Sequence, residues 1–298
     1  PDWIAEFSDS AIKPHLQPFV GGKEEILKQV DAAIKSFKER ASNQDISNKA
    51  NKNFMSMEHK GWNGLGAFDS KERKLANDLL GFDAYILFPT SAFNQVIAAK
   101  EQKILMGGIQ ALNRGLATFC KEDKRMFPTA YIPLGLGPDI AKKFVEEAIS
   151  MDFSVILIDT VAPRGQISFT HPDYNQFWSA VQNADLSVTL HVGADGGYSP
   201  VPKSFYDNQK KVPTHVEGDA PNDALAYMAI QYNAELFLSA MIFDGVLERF
   251  PKLRIGVVEL GASWIISWMK HLDQSYKAFR KFQDLSQLKL LPSEYVLR

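Results

Sequence analysis

Apolar and polar positions alternate from Leu186 to His191: Leu186, Val188 and Leu190 interleave with Ser187 and Thr189. A period of two in a β-branched run predicts a buried strand. Similar runs predict strands at Tyr85–Pro89, Phe127–Leu134, Val155–Ile158 and Arg254–Glu259. Between them the apolar spacing changes to three and four, which predicts helices. Ile26, Val30, Ile34 and Phe37 mark one over Glu24–Arg40. Asp69 is a candidate N-cap for a helix to Leu80 whose apolar face is Leu75, Leu79 and Leu80. Further helices are predicted at Gly108–Phe119, at Pro138–Ser150, and up to about Ala184 with Phe177, Trp178 and Val181 inward. Thr170 and Asp173 have capping-box spacing before that last one. A long helical region is predicted over roughly Asp223–Arg249, and a further helix carries Trp264 and Trp268 on its core side. Pro1–Gly22 reads as irregular, Ala41–Gly66 as a polar surface excursion, Tyr198–Pro221 as a long polar loop, and Tyr295–Arg298 as the start of another strand.

Each of the five strands precedes a helical segment. Repeated β-then-α units require right-handed crossovers and a parallel sheet, which a barrel or a doubly wound sheet would both satisfy. No Gly-x-Gly-x-x-Gly follows a strand and no Walker loop occurs, which lowers the nucleotide-binding option. One domain is expected over residues 1–298, with a lid or oligomer insertion at about 198–249, since so long a connection is rarely idle.

Composition adds limits. The chain has 298 residues, 45% hydrophobic and 23% charged, ordinary for a globular protein with a full core. A net charge of −2 gives no basic surface for nucleic acid. No apolar run approaches the ~18 residues of a membrane span. Cys120 is the one cysteine, so no intrachain disulfide and no thiolate metal cluster is expected. It lies in a helical pattern and reads as packing; a reducing cytoplasm fits.

The candidate chemistry lies at strand ends. In parallel α/β folds the C-terminal ends of the strands face the ligand. Those positions are Thr90, Leu134, Asp159, His191 and Glu259, and Arg164 adds a cation in the loop after Asp159. Together they offer an imidazole, two carboxylates and a guanidinium, a set able to hold a divalent metal, activate its water and anchor an anion. Each has a plainer alternative. His191 could be a core histidine bonded to backbone, Asp159 a cap, Glu259 an ion-pair partner and Arg164 solvated. Of the other histidines, His171 reads as bonded to backbone and His271 as solvated, His15 and His59 have no partner in sequence, and His215 in the long loop could be a lid residue.

Several motifs occur in a fixed order: LFPT at Leu87–Thr90, ALNR at Ala111–Arg114, YIPL at Tyr131–Leu134, HPDY at His171–Tyr174, LHVG at Leu190–Gly193 and GVLERFPKLRIGVVELGASW at Gly245–Trp264. Together they resemble the amidohydrolase-related family of metal-dependent TIM-barrel enzymes, on the branch of aminocarboxymuconate-semialdehyde and resorcylate-type decarboxylases. The resemblance implies an α/β fold, a (β/α)8 barrel incomplete at both ends in this chain. It implies one divalent metal, zinc first, with manganese or magnesium as alternatives. The family's ligands come from an acid-or-His-x-His motif on the first strand, a histidine on the fifth and an aspartate on the eighth. His191 matches the fifth-strand ligand, and the others are expected outside this chain. Where the decarboxylases end their sixth strand in a histidine, this sequence has Glu259.

The leading expectation is therefore a metal-dependent hydrolase acting on a small carboxylated molecule. His191 is its metal ligand and Glu259 its general base; Arg164, Asp159 and Thr90 bind substrate. Non-oxidative decarboxylation of an aromatic or unsaturated acid ranks second, and a non-catalytic binding barrel third. A homodimer is expected, with no nucleic-acid or membrane partner.

Overall fold

The computed structural model describes residues 3–20, 24–55, 61–97, 99–159, 167–192, 200–210 and 223–298. Five strands form: β1 (Tyr85–Leu87), β2 (Met126–Ile132), β3 (Val155–Ile158), β4 (Ser187–His191) and β5 (Arg254–Val258). They lie across one sheet in chain order. β1 pairs with β2, β3 with β4 and β4 with β5, all in parallel. Helices follow each strand, at Thr90–Ile97 and Gln102–Cys120, Pro138–Ser150, Asn175–Asn183, Tyr232–Phe243 and Ile265–Phe279. Neighbouring parallel strands joined by helices are the β/α steps of a (β/α) barrel.

Contacts gather in two compact units, Pro1–Ala130 and Tyr131–His215 with Asn222–Arg298. In the first, Ile4, Ile12 and Leu16 are buried along with Ile109 and Leu112 of helix Gln102–Cys120. The packing is close: a Cβ on Gly107 would come within 2.6 Å of the Ile12 side chain, so only glycine admits that approach. Arg40 and Glu72 form a buried two-pronged ion pair at 2.7 and 3.1 Å, and Glu72 also accepts the Gly66 amide at 2.7 Å. In the second unit, Ile156 and Ile158 of β3 and Val188 and Leu190 of β4 are buried, as are Phe144, Phe177 and Trp178 on the following helices. Burying each such side chain stabilises by about 1.5–3 kcal/mol. The Trp178 indole donates to the Phe169 carbonyl at 2.9 Å, so its polar atom is satisfied inside the core.

Several local expectations are corrected. The N-terminal stretch is helical at Trp3–Glu6 and Lys13–Val20, with Pro14 in a first turn, where the missing amide costs little. The polar excursion contains a helix, Gln44–Lys52, because Asn43 caps it by accepting the Asp45 and Ile46 amides. Asp69 does cap helix Ser70–Leu80, but that helix buries Ala76 and Asn77, while Leu75 and Leu79 are exposed. The helical region over Asp223–Arg249 is divided into three helices, Ala224–Met228, Tyr232–Phe243 and Val246–Arg249; left-handed Gly245, φ 70°, makes the last break.

Thr170 is not a cap. Its hydroxyl donates to Asp244 at 2.6 Å, and His171 Nδ1 accepts the Asp173 amide in its place. The C-terminal stretch is a helix, Pro292–Val296, instead of a strand: Glu294 reaches back to accept the Leu291 amide at 2.7 Å. Trp264 and Trp268 face a core with Leu272, Leu285, Leu288 and Tyr295, as expected. No helix among the described residues is long and apolar enough to cross a membrane.

Candidate functional site

The register of the second unit brings two of the expected residues, His191 and Glu259, together. His191 is the last residue of β4 and pairs with Val258, the last residue of β5. The next amide, Val192, donates to the Val258 carbonyl at 3.3 Å, which carries the ladder one step past the strands. Glu259 follows at once. Its backbone turns left-handed, φ 63°, a conformation that crowds the Cβ of any L-residue except glycine. The turn ends the strand and presents the carboxylate, 58% exposed, with Oε1 3.6 Å from Nε2 of His191, whose side chain is only 15% exposed.

The two ring nitrogens of His191 have different surroundings. Nδ1 lies 2.7 Å from the Val192 carbonyl oxygen. A carbonyl only accepts, so Nδ1 carries a hydrogen, and Nε2 is the ring nitrogen on the side of Glu259. A histidine donating one nitrogen to a backbone carbonyl is held in the orientation and tautomer that metal ligands use. The 3.6 Å spacing is too long for a direct hydrogen bond. It suits two neighbouring donors of one ion, since bonds of ~2.0–2.2 Å place tetrahedral ligands roughly 3.4 Å apart. The pair thus fits one edge of a metal site. Among the described residues, no three His, Cys, Asp or Glu side chains gather as a ligand set.

Asp159 follows β3. Val155, Ile156 and Leu157 pair with Ser187, Val188 and Thr189, and the same register continued two steps sets Asp159 level with His191. Its carboxylate accepts the Tyr131 hydroxyl at 2.6 Å. Tyr131 comes from the end of β2 and is buried. Nearby, the buried Tyr174 donates to the Leu134 carbonyl at 2.7 Å. Burial, and secondarily the Asp159 charge, pushes its phenol up to about 12.

The remaining candidates stand differently. Thr90 begins helix Thr90–Ile97, and its side chain lies outside the described residues, as does all of Arg164. Most of the loop expected at Tyr198–Pro221, with His215, also lies outside them. Leu134 sits in a short 3-10 turn after β2, buried, with only its carbonyl in polar contact. Cys120 is buried, and burial pushes its thiol up to about 12, in keeping with a packing role. Tyr131 was missed as a site residue. The available signal was a tyrosine at the end of an otherwise apolar strand, whose hydroxyl must find a partner once buried.

Comparisons with known proteins agree with this architecture. The profile of the amidohydrolase family matches residues 78–287. No curated protein is detectably similar in sequence. Among solved structures, an amidohydrolase from Mycobacterium avium subsp. paratuberculosis K-10 superposes with a TM-score of 0.61 at 16% identity, over 76% of this chain and 56% of that one. The 5-carboxyvanillate decarboxylase of Sphingomonas paucimobilis gives 0.54 at 20% identity, over 76% and 62%. Another 5-carboxyvanillate decarboxylase, from Novosphingobium aromaticivorans DSM 12444, carries manganese and 3-methoxy-4-hydroxy-5-nitrobenzoic acid; it gives 0.56 at 16% identity, over 88% and 71%. At these identities the likeness concerns the fold. The chain spans 56% and 62% of the lengths of the first two. With a family profile covering most of its length and the parallel β/α steps that the family's solved members share, the chain belongs to the amidohydrolase family.

Proposed function

We propose that this protein is a metal-dependent decarboxylase of small aromatic carboxylic acids. The observation that carries the proposal is the His191–Glu259 pair at the ends of β4 and β5, with Asp159 level beside it. The fold supports it by analogy, because decarboxylases of aromatic acids are among the solved structures it resembles, and one carries manganese. Hydrolysis, first in the expectation from sequence, moves to second place on that account. One divalent ion is part of the proposal, manganese ahead of zinc. His191 would hold it in part, with Glu259 beside it as the group that moves a proton, and it would supply positive charge for a substrate oxygen.

The chain's own groups then have defined tasks. Decarboxylation breaks the bond between the ring carbon and the carboxylate carbon. Its electron pair stays on the ring carbon, carbon dioxide leaves, and the ring carbon takes up one proton. Glu259 is exposed enough to collect that proton from solvent and sits where it can pass it on. Arg164 is the proposed clamp for the substrate carboxylate and Thr90 a further contact. Dimerisation and a cytoplasmic setting belong to the same proposal.

A second reading rests on the same exposure of Glu259: as a carboxylate it could instead take a proton from an attacking water, giving hydrolysis. Incubating the purified protein, with manganese and with zinc, on a panel of hydroxybenzoates and aryl esters separates the two. Carbon dioxide with the matching arene is the expected outcome. Ester cleavage without carbon dioxide would transfer the assignment to hydrolysis, and binding without either reaction would favour a non-catalytic barrel.

A further inference from the structure

Regular strand geometry would keep Glu259 away from His191. Side chains alternate between the two faces of a sheet, and residues at one level of a parallel ladder share a face. His191 pairs with Val258, so the residue after Val258 belongs on the opposite face, with Val257, which packs against the core of Trp264 and Trp268. Yet the Glu259 carboxylate lies 3.6 Å from the His191 ring. The turn after β5 makes the difference. Glu259, φ 63°, and Gly261, φ 65°, are both left-handed, and Leu260 is buried between them.

A left-handed residue that carries a Cβ persists only where its surroundings hold it. Here the hold is the Trp264 indole. Its Nε1 hydrogen is shared between the carbonyls of Leu260 and Gly261, with Nε1 3.1 Å from each oxygen. The indole is itself fixed. It is buried, its ring meets that of Trp268 edge-on at 5.5 Å, and Trp268 Nε1 donates to the Ser239 hydroxyl on helix Tyr232–Phe243 at 2.9 Å. Gly261 is needed for its backbone alone, since a Cβ there would meet nothing within 4 Å.

We propose that Trp264 is a positioning residue: by clasping the Leu260–Gly261 turn it keeps Glu259 on the His191 side of the sheet, where Glu259 moves the proton. This rests on Glu259 as the proton-moving group, and it applies to decarboxylation and hydrolysis alike. Trp264 acts through Glu259 and not on the substrate. The leverage is large, because a misplacement of about 1 Å can cost about 10²-fold in rate.

The test is steady-state kinetics, with manganese, on whichever hydroxybenzoate or aryl ester wild type turns over. Wild type, Trp264→Phe, Glu259→Gln and the double variant are compared, with a melting curve and metal content for each. Phenylalanine keeps an aromatic ring in the core and removes the N–H. Trp264→Phe should lower kcat by about 10–100-fold and leave KM within about twofold, because the lost interaction serves the transition state. In the Glu259→Gln background the same change should cost less than about twofold, because no proton-moving group is left to misplace. A merely structural role would lower the melting temperature and cost the same factor in both backgrounds. Gly261 gives a second route that leaves the core untouched. Gly261→Ala should slow turnover, and Gly261→Asn should recover part of it, because asparagine tolerates the left-handed conformation.

A folded Trp264→Phe with wild-type kcat, or with the same loss in both backgrounds, overturns the inference alone. If Trp264→Phe does not fold, wild-type turnover in Gly261→Ala overturns it. Wild type that turns over no compound of the panel overturns the proposed function, and this inference with it.

Discussion

Nε2 of His191 and Oε1 of Glu259 face each other at 3.6 Å across the ends of β4 and β5. The two residues are 68 positions apart in the chain and one strand apart in space, brought level by a ladder in which His191 pairs with Val258. Each is fixed by its own backbone. Nδ1 of His191 is bound to the Val192 carbonyl, and Glu259 is itself the left-handed residue that ends its strand.

That arrangement separates the two roles by mutation. His191→Ala should reduce bound manganese and abolish turnover, because the loss of one of few ligands lowers affinity. Glu259→Gln keeps the shape and loses the proton transfer. Turnover should then fall by about 10²–10⁴-fold while metal stays bound. Metal content by mass spectrometry and turnover on the same preparations check both. A metal-replete, active His191→Ala protein would remove the central claim.

The left-handed backbone at Glu259 predicts an inverted stability order. At most positions alanine is more stable than glycine. Here glycine should exceed alanine by about 0.5–1 kcal/mol, because relief of the φ 63° conformation outweighs the extra freedom of the unfolded chain. Denaturant unfolding of Glu259→Gly and Glu259→Ala gives the difference directly. Both should be inactive, so stability and activity part at this residue.

In the first unit, Glu72→Ala should destabilise by about 3–5 kcal/mol. Its partner Arg40 has a side chain only 7% exposed and would be left buried with its charge unmatched, and the Gly66 amide would lose its acceptor. Thermal melting followed by far-ultraviolet circular dichroism measures the loss. A change below about 1 kcal/mol, the range of surface pairs, would mean that water reaches Arg40.

Asp123 carries a pH-dependent contribution. Hydrogen bonds from the Arg125 side chain, and then from its backbone amide, hold the Asp123 carboxyl down to about 2. A carboxyl lowered from the unfolded value of about 3.9 stabilises the folded state fully above that value. The stabilisation disappears as pH falls through about 2. Asp123→Asn should therefore melt below wild type at pH 6, and the gap should close between about pH 4 and pH 2. A gap that persists at pH 2 would assign the effect to shape instead of charge.

Burial that pushes the Cys120 thiol up to about 12 leaves almost no thiolate at neutral pH. Alkylation by iodoacetamide at pH 8 should be negligible in the folded protein and rapid once it is unfolded in guanidinium. Ready labelling of the native protein would place Cys120 in an opening region.

The sequence by itself determined the strands and their order. Val155–Ile158 is a strand with the limits its apolar run predicts, and Ser187–His191 ends on the predicted histidine. Pattern sufficed because β3, buried on both faces, is an unbroken apolar run, the β4 stretch alternates with period two, and β-then-α succession admits few topologies. The Asp69 cap and the inward Phe177, Trp178 and Val181 were legible for similar local reasons. Short polar or proline-marked helices such as Lys13–Val20 and Gln44–Lys52 were not, because they draw stability from tertiary contacts and single caps more than from pattern.

The site was legible only in outline. Strand ends named Asp159, His191 and Glu259 as candidates, since a parallel sheet sends all its C-termini to one side. Only the tertiary structure decided which imidazole nitrogen faces Glu259, that the Glu259 backbone turns left-handed, and that Tyr131 reaches across to Asp159. These depend on register between strands 28 to 68 residues apart in sequence, and on where a buried hydroxyl finds its acceptor. Hydrophobic period carries no record of either. It tells which face of a strand is buried, whereas the partner of a polar atom on that face is set by the neighbouring strand.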